Sequence, residues 1–155
     1  MNIVAVGPSD DPVLASHYLA IWDSYGTPIG DYVADAQQRV LDFIEDCRQD
    51  GVHGGFLAIV DGEIAGSAMC CLLREPYPNV IATNKRLRGY IWSVYTAPAH
   101  RRKGIGRALT ASAVEHLRRA GCTSVVLHAS DAGMPMYEAM GFNRAGEMRM
   151  DFAQP

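Results

Sequence analysis

Apolar residues recur along this chain at two different spacings, and the spacing predicts which kind of element forms. In three segments they return every three or four residues, as on the buried face of a helix. These segments are residues 14–25, 33–47 and 104–120, and a short fourth helix is predicted over residues 134–140. Gly26, Gly51, Gly121 and Gly141 follow the four segments and mark their ends.

Runs of apolar and β-branched residues between these segments predict strands. Asp61 and Gly62 separate two of the runs and are typical of a tight hairpin turn. The runs cover residues 2–6, 56–60, 64–73, 90–96, 123–128 and 147–152.

The order of these elements predicts the fold class. It reads strand, two helices, three strands, helix, strand, short helix, strand, which indicates an α/β or α+β domain. We expect a mixed sheet with helices on both faces. The strands on either side of the third helix should be parallel and joined by a right-handed crossover. We expect residues 1–155 to form a single domain.

Composition excludes several functional classes. A net charge of -3 does not suit a general nucleic-acid binder, which needs an excess of Lys and Arg. No apolar run approaches the ~20 residues of a membrane span, and no secretory signal is visible, so we expect a cytoplasmic protein without a membrane partner. We expect four reduced, mostly buried cysteines and no metal site, since no Cys-x-x-Cys spacing occurs among Cys47, Cys70, Cys71 and Cys122.

The segment that best indicates a binding site is residues 94–109, predicted to run from a strand through a turn into a helix. The first amides of a helix lack partners within the helix and lie at the positive end of its dipole. A phosphate placed there satisfies several donors, and glycines let it approach the backbone closely. The residues that would serve this anion site are Arg101, Arg102, Lys103, Gly104, Gly106 and Arg107.

Three other interpretations of this segment remain open. The glycines would also suit a plain tight turn, and the basic cluster would also suit a solvated surface or a nucleic-acid patch. The segment is not the Gly-x-Gly-x-x-Gly dinucleotide motif, because position 109 is Leu, and no Gly-Lys-Ser/Thr sequence follows.

The surrounding motifs make the segment more specific. The pattern Arg-x-x-Gly-x-Gly, here Arg101, Gly104 and Gly106, follows a predicted strand and a proline, and residues 137–142 read Tyr-Glu-Ala-Met-Gly-Phe. Together these motifs resemble the GCN5-related N-acetyltransferase (GNAT) superfamily over residues 56–152. The resemblance implies a mostly antiparallel central sheet in which two parallel strands splay apart, here the strands of residues 90–96 and 123–128.

The resemblance also implies the cofactor and its site. Members bind acetyl-CoA as the acyl donor, with its pantetheine arm along the central strand and its pyrophosphate on the loop before the helix. Ser130 occupies the place where many members carry an Asn that contacts the cofactor, though it would equally suit a loop near a helix start. The residues implied in cofactor binding are Val94, Tyr95, Thr96, Arg101, Arg102, Lys103, Gly104, Ile105, Gly106, Arg107, Ser130 and Tyr137.

By the same resemblance the chemistry is direct transfer of acetyl to an amine. Tyr137 matches a tyrosine that lies near the thioester sulfur in many members and would act as the general acid; alternatively, it only packs on the short helix. Strand amides near Val94 would polarise the thioester carbonyl. The base that deprotonates the amine is not identified, and its candidates are Asp31, Tyr32, Glu75, Tyr77, Tyr90 and Ser93.

The acceptor stays open. The resemblance implies an acceptor pocket built from residues 25–33 and 74–88, which carry charges of both signs, so a small metabolite, an antibiotic and a peptide amine all remain candidates.

The sequence also leaves open whether the protein forms a homodimer, to which a strand over residues 147–152 could contribute an edge. Two other functions are a catalytically silent acyl-CoA sensor or scaffold of the same fold and an unrelated nucleotide-binding domain. A hydrolase triad of His128, Ser130 and Asp131 is disfavoured because adjacent positions rarely give relay geometry.

Overall fold

The computed structural model describes residues 1–152 and contains one five-stranded sheet. The strands lie side by side in chain order, and the first three pairings are antiparallel while the last is parallel. The strands are β1 (Asn2–Val6), β2 (Gly54–Val60), β3 (Glu63–Leu72), β4 (Arg88–Thr96) and β5 (Ser124–Val126). The predicted mixed sheet is therefore confirmed.

Helices cover the two faces of this sheet, as the element order predicts. The α-helices are α1 (Asp11–Ser24), α2 (Ala36–Arg48), α3 (Ile105–Arg119) and α4 (Met134–Glu138). Helices α1 and α2 pack on one face through a buried cluster that includes Leu14, Ile44 and Met69. Helix α3 packs on the other face, where Leu109 and Leu117 are fully buried.

The hairpin between β2 and β3 forms where the sequence predicts it. Asp61 and Gly62 both have positive φ, at 52° and 86°. Two successive residues with positive φ match the twist of antiparallel strands, and Asp-Gly is a favoured pair at these positions. The turn sets the register in which Val60 pairs with Glu63.

Strand β4 contains one more residue than the part of β3 that it pairs with. Ser67 pairs with Tyr95 whereas Met69 pairs with Trp92, so two steps along β3 correspond to three along β4. The additional residue lies near Ser93, whose φ of 54° is unusual for a residue with a side chain. This β-bulge bends β4 in its second half.

The two parallel strands separate at the same place, as the resemblance implies. Pairing between β4 and β5 starts at Arg88 and Ser124 and ends at Tyr90 and Val126. Strand β5 ends there, three residues long rather than the six predicted, while β4 continues to Thr96. In the part of the chain that the structure describes, the second half of β4 thus has no strand beside it on the β5 side.

The prediction of a last strand over residues 147–152 is wrong. Residues 142–152 form no strand, and the apolar side chains of the alternating pattern are exposed, with Met148 at 96% and Phe152 at 84%. A period of two favours a strand only where a partner edge is available, and β5 offers only three residues. Residues 153–155 lie outside the described part of the chain.

Two further observations concern the described residues as a whole. Within residues 1–152, every helix is too short or too polar to cross a bilayer. All four cysteines are unpaired, with Cys47, Cys70 and Cys71 buried and Cys122 half-buried, so the predicted burial of most of them is confirmed.

Candidate functional site

The loop before α3 and the first turn of α3 expose a row of backbone amides; we call residues 102–107 the amide loop. The first amide to donate into the helix is that of Ala108, which binds the Gly104 carbonyl oxygen at 3.0 Å. Within residues 1–152, the amides of residues 102–107 donate to no backbone carbonyl and no side chain. Arg102 and Gly104 hold positive φ values of 63° and 79°, which curl the loop. Such a concave row of free amides at a helix N-terminus binds anions.

The basic side chains around the amide loop divide into two groups. Arg101 donates through Nε to the Thr96 carbonyl at 3.3 Å, and Lys103 donates through Nζ to the Ala99 carbonyl at 3.1 Å. These two side chains therefore tie the loop to the last residue of β4 and to the segment that follows it. Arg102 and Arg107 are exposed and keep their charge in solvent.

The two glycines of the amide loop have different surroundings. A Cβ added to Gly104 would meet no atom within 4 Å, so this position needs glycine for its positive φ and faces open space. A Cβ on Gly106 would lie 3.4 Å from Met136 Sδ and 3.7 Å from Thr96 Oγ1. Gly106 thus lets α4 and the end of β4 approach the first turn of α3. The side chain of Ile105 is buried in the core, so only its backbone amide faces the loop.

The second half of β4 lies next to the amide loop, with the site residues that the sequence predicts on it. The side chain of Val94 packs into the core of the α3 face. The ring of Tyr95 lies against the imidazole of His17, with centroids 4.4 Å apart, on the opposite face. The backbone edge between these side chains faces the gap where β5 has ended.

Tyr137 is buried on α4, at 8% exposure, and its ring contacts that of Phe142 with centroids 5.8 Å apart. Burial raises the pKa of Tyr137 to about 12, while the neighbouring Thr110 hydroxyl on α3 acts in the opposite direction. The phenol therefore stays protonated throughout the neutral range and is able to donate a proton.

Ser130 begins the turn that leads into α4. Its Oγ accepts a hydrogen bond from the Gly133 amide at 3.2 Å, and its carbonyl accepts from Met134 at 2.9 Å. These contacts fit the alternative interpretation of Ser130 as a residue that starts a helix. Its hydroxyl proton remains available for another acceptor.

Besides Tyr90, which is described below, two of the base candidates line a cavity between α1, α2 and β4, which we call the helix cavity. It encloses about 610 Å³ and is lined mainly by apolar and aromatic side chains. Asp31 and Tyr32 lie at this cavity, and the Tyr32 hydroxyl donates to Asp23 at 2.8 Å. The other lining residues include Tyr18, Trp22, Phe43, Tyr90 and Trp92.

Besides Tyr90, two other candidates lie at a second cavity, of about 700 Å³, along β5 and the 73–77 loop; we call it the strand-edge cavity. Here Glu75 forms ion pairs with Arg88 and with Arg86, the latter at 3.1 Å. A hydrogen bond from Tyr77 and the two guanidinium groups lower the pKa of Glu75, so this carboxylate is a weak proton acceptor. Tyr137 also lines this cavity.

The remaining two candidates lie on β4 and differ in accessibility. Ser93 is 8% exposed, and within residues 1–152 its hydroxyl has no hydrogen-bond partner. Tyr90 lines both cavities and is the one candidate of the six to do so.

Sequence reasoning missed one contact of Tyr90. Its hydroxyl lies 2.6 Å from Nδ1 of His128, a residue considered in the sequence only as part of a disfavoured triad. The predicted parallel pairing of the two strands could have indicated this contact. It brings residue 128, just past β5, close to the part of β4 where the pairing with β5 ends. Within residues 1–152, no three His, Cys, Asp or Glu side chains converge on a point that would hold a metal ion.

The fold and the site together define a class: mixed α/β domains with free helix amides at the divergence of two parallel strands. The sequence model of the acetyltransferase (GNAT) family matches residues 15–142. The chain therefore belongs to this family.

Individual relatives agree with this assignment. A glucosamine 6-phosphate N-acetyltransferase of Trypanosoma brucei brucei is 37% identical over 89 residues, which are 57% of this chain and 56% of that enzyme. A GCN5-related N-acetyltransferase structure from Ralstonia eutropha JMP134 is 26% identical, covers 99% of both chains and has a TM-score of 0.81. A predicted acetyltransferase from Clostridium acetobutylicum, solved with acetyl-CoA, is 21% identical over 97% of this chain and 95% of its own, with a TM-score of 0.80. The chain spans about half the length of the trypanosomal enzyme.

Proposed function

We propose that this chain transfers an acetyl group from acetyl-CoA to an amine. One observation carries the proposal: the free amides of the amide loop lie beside the open backbone edge of β4. The first group suits a pyrophosphate and the second suits the amide-bearing pantetheine arm. Family membership and the Clostridium acetobutylicum structure with acetyl-CoA support the choice of donor.

The residues that would hold acetyl-CoA follow from this arrangement. The amides of residues 102–107 would bind the pyrophosphate, while Arg102 and Arg107 supply long-range attraction. The backbone of Val94, Tyr95 and Thr96 would pair with the pantetheine arm. Bound there, acetyl-CoA supplies a thioester whose acetyl group an amine accepts.

Tyr137 is the general acid in this proposal. It is buried beside Phe142 and the Thr110 hydroxyl of α3, and its raised pKa keeps the phenolic proton in place at neutral pH. A thiolate that departs beside this buried phenol would take that proton, because burial disfavours the charged form of the thiol.

The acceptor would bind in the helix cavity, and the lining favours an amine with an aromatic or apolar body. Trp92 contacts Phe43 edge to face at 5.0 Å and Tyr18 at 5.6 Å, which forms an aromatic wall. Asp31 supplies a carboxylate for the cationic amine. Arg39, a guanidinium at this cavity, is paired with Asp35 at 3.0 Å, so the lining suits a sugar phosphate such as glucosamine 6-phosphate less well.

The test has two stages. Calorimetric titration of acetyl-CoA into the protein should give micromolar-range binding that CoA, but not NAD or ATP, competes away. A panel of aromatic amines, aliphatic amines, glucosamine 6-phosphate and peptides is then assayed by thiol release, with acetylated products identified by mass. Binding without transfer to any amine would favour the sensor, and the absence of binding by folded protein would remove the proposal.

A further inference from the structure

Three side chains form a continuous hydrogen-bonded chain at the point where β4 and β5 separate. The hydroxyl of Tyr90 lies 2.6 Å from Nδ1 of His128. On the other side of the imidazole, Nε2 lies 2.8 Å from a carboxylate oxygen of Glu147. Because the carboxylate only accepts, Nε2 carries a ring proton, and in the neutral imidazole Nδ1 is then the acceptor to which the phenol donates.

The chain runs from the interior to the surface. Tyr90 is half-buried and borders both the helix cavity and the strand-edge cavity. The side chains of His128 and Glu147 are 71% and 72% exposed. A proton that enters the chain at Tyr90 can therefore leave it to water at His128, since imidazoles exchange protons with water near neutral pH.

We propose that Tyr90 is the catalytic residue that takes the proton from the acceptor ammonium and that His128 and Glu147 position it and carry the proton to solvent. This inference rests on the proposed function. The phenol oxygen accepts a proton from the ammonium as its own proton passes to Nδ1 of His128. Glu147 stabilises the imidazolium that forms and holds the ring in the required tautomer.

The proton balance of the reaction needs such an exit. The ammonium loses one proton before attack and a second as the C–N bond replaces the C–S bond. One of the two protons replaces the proton that Tyr137 gives to the sulfur of the released thiol. The other proton must reach solvent. The path through Tyr90 and His128 accounts for the second proton.

The surroundings of Tyr90 favour a neutral phenol that relays a proton over a phenolate that is already ionised in the resting protein. Burial raises its pKa, and Cys71 from β3, Tyr18 from α1 and Glu147 from the C-terminal segment raise it further. The cation nearest in sequence, Arg88, is already paired with Glu75. A phenol that stays neutral passes a proton through its oxygen, with no need to ionise.

The experiment compares Tyr90→Phe, His128→Ala and Glu147→Gln with the wild-type protein, and Glu63→Gln serves as the control. Glu63 is an exposed carboxylate at the hairpin. Its variant therefore removes one negative charge at a site remote from the hydrogen-bonded side chains of Tyr90, His128 and Glu147. For an amine found in the panel, kcat at pH 7 should fall at least tenfold in Tyr90→Phe and His128→Ala and less in Glu147→Gln, with the Kd of acetyl-CoA unchanged.

The pH profile separates this role from a structural one. The losses should shrink as the pH approaches 10, because a growing share of the amine is then neutral without help. Added imidazole should restore activity to His128→Ala at pH 7, since the His128 position is open to solvent. Losses that stay equal at all pH values, or no rescue by imidazole, would overturn the relay.

A measurement without substrate tests the geometry. Two-bond 1H–15N spectra of the free protein should show the Nε2–H tautomer of His128, and Glu147→Gln should weaken that preference. An Nδ1–H tautomer would overturn the relay, whatever the activity. A wild-type protein that transfers acetyl to no amine would refute the proposed function and the relay with it, whereas an active wild type with an equally active His128→Ala would refute the relay alone.

Discussion

Tyr90 and Val126 form the last residue pair between the parallel strands β4 and β5, and beyond them β4 has a free edge. We expect acetyl-CoA to slow amide hydrogen exchange in residues 91–97, since a bound pantetheine arm would pair with that edge. Exchange in β1, which also has a free outer edge, should not change, because β1 lies at the far side of the sheet. Equal protection of both edges, or of neither, would contradict this placement.

A substitution in the amide loop should abolish donor binding. In Gly104→Glu, a carboxylate would extend into the open space beside the free amides and repel the pyrophosphate. We expect calorimetry to show at least a hundredfold loss of affinity for acetyl-CoA. A Kd within threefold of the wild-type value would show that the pyrophosphate binds elsewhere.

A matched control separates this repulsion from backbone strain. Gly62 has the same kind of positive φ, at 86°, and a Cβ there would also meet nothing within 4 Å. Gly62→Glu should therefore lose a similar amount of stability, about 1–2 kcal/mol for a residue with a Cβ in this conformation. Its affinity for acetyl-CoA should stay at the wild-type level.

Removal of the Tyr137 hydroxyl should slow catalysis with little effect on donor binding. We expect Tyr137→Phe to lower kcat about a hundredfold, typical of a lost general acid, while the Kd of acetyl-CoA stays constant. Because burial raises the pKa of Tyr137 to about 12, the acid form persists to high pH. The wild-type kcat should accordingly show no descending limb up to about pH 10, and a fall near pH 9 would assign the acid to another group.

The parts of the fold that were predictable from sequence are those with local signals. The Asp61 and Gly62 turn, the stripe of α3 and the amide loop each depend on residues close together in the chain. The bulge at Ser93 was not predictable, because serine has no intrinsic preference for a φ of 54° and tertiary pairing with β3 imposes it. The wrong strand over residues 147–152 has the same cause, since alternation specifies a strand only when a partner edge exists.

The residues of the site also divide into those that local sequence motifs predict and those that only the fold brings together. Gly104 and Tyr137 belong to motifs that the sequence displays, and the structure places them on the amide loop and on α4. The contact between Tyr90 and His128 joins residues 38 positions apart and depends on where β5 ends. The prediction of a strand over residues 123–128 placed that end two residues too late. For the same reason Glu75 looked available from the sequence, whereas in the fold it is paired with Arg86 and Arg88.

The stability of the protein should depend on pH through His17. Its Nδ1 lies 2.9 Å from the Ser67 hydroxyl, and burial lowers the pKa of the imidazole below its ordinary 6.5. The unfolded chain then binds a proton more readily than the folded one, so this contribution is complete above pH 6.5 and is lost as pH falls through the lower folded pKa. Denaturant unfolding at pH 7.5 and 5.5 should show a larger drop for the wild type than for His17→Gln. Equal drops would indicate that His17 titrates alike in both states.

The aromatic wall of the helix cavity should select the acceptor. Phe43 is 46% exposed and contacts Trp92 edge to face, so its ring is available to an acceptor. Phe43→Ala should raise KM for an aromatic amine about tenfold, as expected for one lost aromatic contact, and leave KM for a small aliphatic amine unchanged. Ile64→Ala, which truncates an apolar residue 41% exposed on the hairpin, should change neither constant. If Phe43→Ala raises both KM values equally, the ring shapes the cavity without recognising the aromatic group, and selectivity must come from the Asp31 side.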